Sequence, residues 1–346
     1  MNIDLNPEQI VLKDAIKDFL DGEGFDIQSA VQGLSPEKLD ALWAQCAQMG
    51  WFRSRLTEAQ QGLALSTQDV AVLHEEMGKH LLSIPVAHAV AVQTYLDPAH
   101  DILKDWLSGD RRLGIAQATS NHPGSFLVDY ASADHQAVHL SWSDATLIVT
   151  QFTGVEPSFG IDPLIATSLI APDAAVTNTF NASVSQTAWS EYQILRDLLR
   201  MAELIGVGAQ AMELGTQYAC EREQFNKPIG AYQAIKHKLA DDWMRLDNAR
   251  LCLHEACRLF DLAKTDADKV RLPFALEAAR LLVPEAAQLA ASHAIQIHGA
   301  MGITWECPVH LCLKRVRHMV STDTRLRHPS QTLDALWHAS ATTTHE

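Results

Sequence analysis

"REQFNKPIGAYQAIKHKLAD", residues 222–241, sets a Pro–Gly turn between two helical patterns and packs it with Arg, Gln, Asn and Lys. Before it, Leu195, Leu198, Ala202, Ile205, Ala209 and Met212 step by three and four, the spacing of one helix face. After it, Tyr232, Ile235, Leu239, Trp243, Leu246, Leu253 and Cys257 continue in the same way. Such a loop is either a plain interhelical turn or a holder for an anionic ligand. Arg222 offers a planar fork suited to phosphate oxygens. Gln224 adds an amide donor, and Phe225 presents an apolar face to a ring. A cation near a helix C-terminus is favoured by the helix dipole in any case, so composition leaves both readings open.

Working outward, "ALEAARLLVPEAAQLAASHAIQIHG" (275–299) predicts another long helix ending at Gly299, with Pro284 expected to kink or split it. Long helices joined by short loops predict a C-terminal four-helix bundle over 186–346. Residues 111–185 have a different texture. "LGIAQA", "QAVHLSW", "ATLIVT" and "IATSLIA" are short β-branched runs between turn residues, which predicts a small antiparallel β domain. No glycine fingerprint between a strand and a helix supports a Rossmann site there. Residues 1–110 read as an N-terminal helical domain. Asn6 with Pro7 and Gln9 resembles a capping box, Ser35 with Pro36 opens a second helix, and a third runs from Ser66 to Gly78. The fold class is therefore α+β, in the order helical, β, helical.

The formal net charge of −15 argues against a nucleic-acid or anionic-membrane partner. The N-terminus lacks the basic start and apolar core of a signal peptide, and no run is long enough to span a bilayer, so a cytoplasmic location is expected. Six cysteines without a CxxC pair read as buried reduced thiols. Among sixteen histidines, His293 and His298 are five apart, on different helix faces, so no metal site is expected. In "LKRVRH", Lys314, Arg315 and Arg317 either meet the phosphates of a ligand or complement a helix C-terminus.

Two segments, "CEREQFNKPIGAYQAIKHKLAD" and "AIQIHGAMGITWECPVHLCLKR", together resemble the acyl-CoA dehydrogenase family, and the helical–β–helical order matches its layout. The resemblance implies FAD as cofactor, with the Arg–x–x–Phe loop of one subunit reaching the FAD of its neighbour across a dimer interface. It places Arg222 and Gln224 on the pyrophosphate, Phe225 near the adenine and Gln233 on the cofactor from the following helix. Gln296, Gly299, Ala300 and Gly302 occupy the Gln–x–x–Gly–Gly–x–Gly positions, where small residues let backbone approach the adenosine end. It further implies an acyl-CoA thioester substrate and an electron-transfer flavoprotein or similar acceptor.

The chain departs from the family in four places. Asn226 stands where Gly usually follows Phe, and Asn tolerates a left-handed backbone next best. Ala300 replaces the second Gly of the later motif. The family's Thr–Glu–Pro stretch beside the flavin is replaced by "AQATSNHPGSFLVDY", in which Thr119 and Ser120 could bond a flavin or form a surface turn. Finally, the position of the family's usual glutamate base, counted on from Gln296, falls on Asp323. Aspartate is shorter by roughly one ångström, and misplacement on that scale can cost about 10²-fold. A minority of the family carries the base on the first long C-terminal helix, where Arg196 now stands, with Asp197 next to it and Glu203 two turns on.

These departures resemble the bacterial acyl-CoA dehydrogenases of steroid and bulky-ring catabolism, assemblies of two unlike subunits. Two functions follow. One is a dehydrogenase subunit that desaturates a bulky acyl-CoA by α-proton abstraction and β-hydride transfer, in a dimer or α2β2 tetramer. The other is a non-catalytic partner that completes the FAD site of a second chain.

Overall fold

The computed structural model describes residues 5–23, 35–93, 107–110, 114–118, 125–130, 137–152, 156–158, 160–171, 176–262 and 266–327, with Ile27, Lys104 and Arg112. The first helices begin at their caps. For α1 (Pro7–Gly22), the Asn6 side chain accepts from the Gln9 N–H at 2.8 Å and Gln9 Oε1 accepts from the Asn6 N–H at 3.1 Å. Ser35 caps α2 (Pro36–Gln48), and a Ser66–Asp69 box opens α3 (Thr67–Lys79). A fourth helix, α4, covers Val86–Val92.

Two compact units divide the chain. One takes the described residues within Gly33–Leu65 and Ser83–Asp197, and it contains α2, α4 and a seven-stranded sheet. Its strands are β1 (Gly114–Ala118), β2 (Phe126–Asp129), β3 (Ala137–Ser143), β4 (Thr146–Phe152), β5 (Glu156–Ser158), β6 (Thr167–Ile170) and β7 (Val176–Ser183). The order is β5-β6-β2-β1-β3-β4-β7. The sheet is mixed, which corrects the antiparallel expectation. β1 pairs with β2 antiparallel on one side and with β3 parallel on the other. The register brings the two neighbours of β1 together at one end. β2 ends at Asp129 opposite Ile115, and β3 begins at Ala137 opposite Gly114, so both lie beside the same end of β1. Ala116, Val128, Ala137, Phe152 and Ile170 form its core, with Phe126 packed against them.

The other unit takes the described residues within Met1–Gln32, Ser66–Leu82 and Leu198–Glu346. It holds α1, α3, most of α5 (Gln186–Glu221), and α6 (Gln233–Leu262), α7 (Asp266–His298), α8 (Val309–Thr322) and α9 (Thr324–Arg327). Four long helices thus fill the C-terminal half. α7 runs unbroken through Pro273 and Pro284, so the expected split does not occur. An interior proline costs about 3 kcal/mol in an isolated helix. Here the flanking turns are anchored by buried Ala279, Val283, Ala286, Ala287 and Ala290, and tertiary packing overrides the local preference.

α3 crosses α5 in direct backbone contact. A Cβ at Gly78 would lie 2.0 Å from the Glu203 carbonyl oxygen, and one at Gly206 would lie 1.9 Å from that of Glu75. The contact is reciprocal, so neither helix can add a methyl there. Arg315 on α8 is wholly buried and secures the end of α3. Its guanidinium donates to the carbonyls of Leu81 and Leu82, both at 2.9 Å. These carbonyls belong to the turn just past the end of α3, outside any helix or strand. Of the two sequence readings of "LKRVRH", Arg315 takes the helix-terminus role. The cysteines are less uniform than expected: Cys46, Cys257, Cys307 and Cys312 are buried, Cys252 is half-buried and Cys220 is exposed. Among the described residues no helix is long and apolar enough to cross a membrane.

The crossing predicts a sharp contrast between two glycines. Gly206→Ala should lower the unfolding free energy by about 3 kcal/mol or prevent folding, whereas Gly22→Ala, with open space at the new methyl, should change it by less than about 0.5 kcal/mol. Denaturant titration of both variants decides this, and equal effects would contradict the crossing. A second expectation concerns His74 on α3, which is fully buried, so that desolvation pushes its pKa down to about 3. The unfolded chain then takes up the proton first as pH falls below about 6.5, and stability is lost between there and about pH 3. From pH 7 to pH 5 the wild type should lose about 2 kcal/mol more than His74→Leu. Parallel losses in the two proteins would show that the imidazole is protonated in the fold.

Candidate functional site

α5 ends at Glu221, and the chain turns back through a two-stranded hairpin, β8 (Glu223–Gln224) and β9 (Lys227–Pro228). The two residues at its tip, Phe225 and Asn226, have φ of +53° and +64°. Two successive left-handed residues make the tight turn that fits the twist of a hairpin. The turn therefore lies at Phe225–Asn226, upstream of the Pro–Gly pair that marked it in the sequence. Asn226 is among the few side chains at ease there; Phe225 is not, and left-handed backbone costs it about 1–2 kcal/mol.

That conformation is held from several sides. The Ile229 N–H donates to the Arg222 carbonyl at 2.8 Å, and the Tyr232 hydroxyl donates to the Gln224 carbonyl at 3.0 Å. Lys227 Nζ sits 4.1 Å from the centre of the Tyr232 ring. The hairpin's side chains point outward: Arg222 and Gln224 are exposed, and Phe225 is 87% exposed. Gln233, the first residue of α6, is exposed as well. A strained, exposed aromatic beside an exposed guanidinium is built for something other than packing within its own chain.

The second motif lies at the same end of the bundle. Tyr218, on the last turn of α5, stacks on His298, the last residue of α7, with ring centroids 4.3 Å apart. A single 3-10 turn, Gly299–Ile303, follows at once. Gly299 has φ +63° with open space around it, so its lack of a side chain serves backbone geometry. Gly302 is buried, and a Cβ there would meet the Ile295 carbonyl oxygen at 2.6 Å. Gln296, Gly299 and Ala300 are all exposed, so the extra methyl of Ala300 crowds nothing within the chain. The structure thus gathers Arg222, Gln224, Phe225, Gln233, Gln296, Gly299, Ala300 and Gly302 around the adjoining ends of α5 and α7. The Tyr218–His298 stack that joins them escaped the sequence reading. Its signal was spacing: Tyr218 is one helical turn before Arg222, and His298 directly precedes Gly299.

The three candidate carboxylates have a different environment. Asp323, only 4% exposed, caps the C-terminus of α8. Its Oδ1 accepts from the Arg325 N–H at 3.0 Å, and its Oδ2 lies 3.9 Å from Arg200 Nε. Asp197 is fully buried and accepts from Arg196 Nη2 at 2.9 Å. Glu203 is buried and lies 3.5 Å from Arg315 Nη1. Each therefore sits beside its own guanidinium, an arrangement that leaves the charged form of the acid compensated. Two of those arginines, Arg200 and Arg315, are 123 and 112 residues from their carboxylates and could not be matched to them from the sequence. Thr119 and Ser120 lie outside the described residues. His293 Nδ1 donates to the buried Asp242 carboxylate at 2.7 Å, and His298 Nδ1 donates to the Ala294 carbonyl at 2.8 Å, so each ring is tied to a partner within the chain.

Comparisons with known proteins bear on this layout. Residues 6–101 match the model of the acyl-CoA dehydrogenase N-terminal domain, and residues 198–321 match that of the acyl-CoA dehydrogenase C-terminal domain. Acyl-CoA dehydrogenase IpdE2 of Mycolicibacterium smegmatis is 26% identical over 78% of this chain and 79% of its own. Acyl-CoA dehydrogenase FadE34 of Mycobacterium tuberculosis is 30% identical over 79% of this chain, a stretch equal to 39% of that longer protein. Among solved structures, a variant of the Tcur3481-Tcur3483 steroid ACAD superposes with a TM-score of 0.77 at 20% identity, covering 98% of this chain and 99% of that one. The two matched domains flank the β-sheet and include both motifs of the bundle end. The chain is an enzyme of the acyl-CoA dehydrogenase family, whose members are FAD-dependent flavoproteins.

Proposed function

We propose that this chain is a subunit of a FAD-dependent acyl-CoA dehydrogenase acting on a bulky, steroid- or ring-derived acyl-CoA, and that its bundle end grips a FAD shared with a neighbouring chain. The observation that carries the reading is the strained, outward-facing hairpin beside the Gly299–Ile303 turn. The donor set fits a dinucleotide: a guanidinium fork and an amide for the diphosphate, an exposed ring for the adenine, and small residues where backbone must come close. Arg222 and Gln224 would hold the pyrophosphate. Phe225 would lie against the adenine, with Gln233 and Gln296 adding hydrogen bonds and Gly299, Ala300 and Gly302 admitting the adenosine. When bound, FAD supplies the hydride acceptor of the desaturation.

Asp323 is the first candidate for removing the α-proton from the thioester. Its carboxylate is buried and fixed by the Arg325 N–H, so the lone pair that would take the proton is oriented before substrate arrives. Arg200 stabilises the carboxylate before the transfer, and Asp197 and Glu203 remain the alternatives. A steroid-type substrate and a two-chain assembly are supported by the name of the Tcur3481-Tcur3483 steroid enzyme among the fold neighbours. Reoxidation would pass to an electron-transfer flavoprotein or a similar acceptor, in the cytoplasm.

The pairing of every candidate carboxylate with an arginine favours a second reading. In it the chain is a non-catalytic partner completing the FAD site of an α2β2 enzyme whose other chain supplies the base.

Two measurements separate these. Arg222→Ala should weaken flavin retention at least about tenfold, the loss of one charge-assisted contact. Asn226→Val should do the same by disfavouring the left-handed turn, while Asn226→Gly should not; flavin content unchanged in Arg222→Ala would remove the grip. With flavin retained, Asp323→Asn should reduce acyl-CoA desaturation, followed with an artificial electron acceptor, by about 10²-fold or more. An undiminished rate assigns the base elsewhere and leaves the partner reading in place.

A further inference from the structure

Beside the α3–α5 crossing, the helical unit carries a groove of about 580 Å³, within the range of about 300–1,000 Å³ typical of small-molecule sites. It is lined from α1, α3, α5 and α6, and it owes its shape to the crossing. Gly206 and Glu75, which meet in backbone contact, both lie in its wall, and the helices part on leaving that point. Ile205, Ala209 and Met212 give an apolar side on α5. Facing them is Trp243 of α6, 60% exposed, an indole with much of its surface uncovered.

Charge decides what the groove can accept. Its three cationic side chains are already engaged. Arg250 pairs with Glu75 at 2.7 Å, Lys79 with Glu213 at 3.4 Å, and Lys13 lies 3.7 Å from Glu76 Oε1. A fourth carboxylate in the lining, Asp247, has no ion pair among the described residues. Glu76 is 98% buried by the complement of its 2% exposure, and its Oε2 has no hydrogen-bond partner. A buried carboxylate oxygen without a donor is destabilising. One carboxylate oxygen of the lining therefore lacks a donor, and Asp247 lacks a cation among the described residues. An exposed indole beside such an oxygen is the combination that attracts ammonium groups, through the carboxylate and the ring face together.

We propose that this groove binds a small organic ammonium ion with an apolar body, its charged head held by the Asp247 and Glu76 carboxylates and its body lying between Trp243 and the Ile205–Met212 side of α5. The lining runs along α5 as far as Thr216 and Gln217, and the proposal does not depend on the flavin reading.

The test uses the purified, assembled protein and three probes of similar shape: 2-phenylethylammonium, 2-phenylethanol and 3-phenylpropionate. Binding is read by calorimetry and by saturation transfer from protein to ligand protons. The ammonium should bind at least about tenfold more tightly than either other probe, and Glu76→Gln should abolish that preference. Ala209→Phe, which fills the apolar side, should remove binding of all three while the circular dichroism stays that of the wild type. If Glu76→Gln does not fold, Asp247→Asn takes its place, with a smaller loss of the same preference expected. Equal binding of ammonium and carboxylate, binding that survives Ala209→Phe, or no binding because a neighbouring chain covers the groove would each overturn the proposal.

Discussion

The backbone contact between α3 and α5 at Gly78 and Gly206 constrains the rest of the helical unit. α5 is 36 residues long and carries nearly every group of interest in turn. Its first half bears Asp197, Arg200 and Glu203, its middle holds the crossing, and its last turn delivers Tyr218 and then the hairpin. A methyl at the crossing would push the two helices apart, and everything further along α5 would shift with it. Arg315 guards the same junction from below by satisfying the carbonyls at the end of α3. Desolvating a whole guanidinium is tolerable only where acceptors surround it, and here two backbone oxygens and Glu203 do so.

Two kinds of polar group on the C-terminal helices are handled in opposite ways. Carboxylates at Asp197, Glu203 and Asp323 are buried and matched with arginines inside the chain. The donors at Arg222, Gln224 and Gln296 are left facing out. Buried pairs specify how helices register against one another; exposed donors on a strained turn are available to something outside. A chain arranged in this way is rigid where chemistry needs alignment and open where a shared ligand would be met.

Much of this was legible in local sequence signals. Asn6 with Gln9, Ser35 with Pro36, and Ser66 are short-range caps, and each starts the helix it marks. The two bundle-end motifs are also local, and each lies at the end of a helix whose boundary the sequence marks. Long-range partners were not legible. Short β-branched runs announce strands but not neighbours, so the parallel β1–β3 pair could not be distinguished from an antiparallel one. Pro284 carries a real local penalty, yet the buried alanines around it keep α7 whole. The arginines beside Glu203 and Asp323 depend on how helices pack, which no spacing rule along one helix reveals.

The central claim is that one chain's Arg222 and Gly299–Ile303 turn close on a dinucleotide carried by another chain. A crystal or electron-microscopy structure of the assembled flavoprotein tests it most directly. The account predicts the Arg222 guanidinium about 3 Å from the diphosphate of a FAD whose flavin ring rests on a different subunit. A flavin bound within one chain, with Arg222 in solvent or against protein alone, would contradict it.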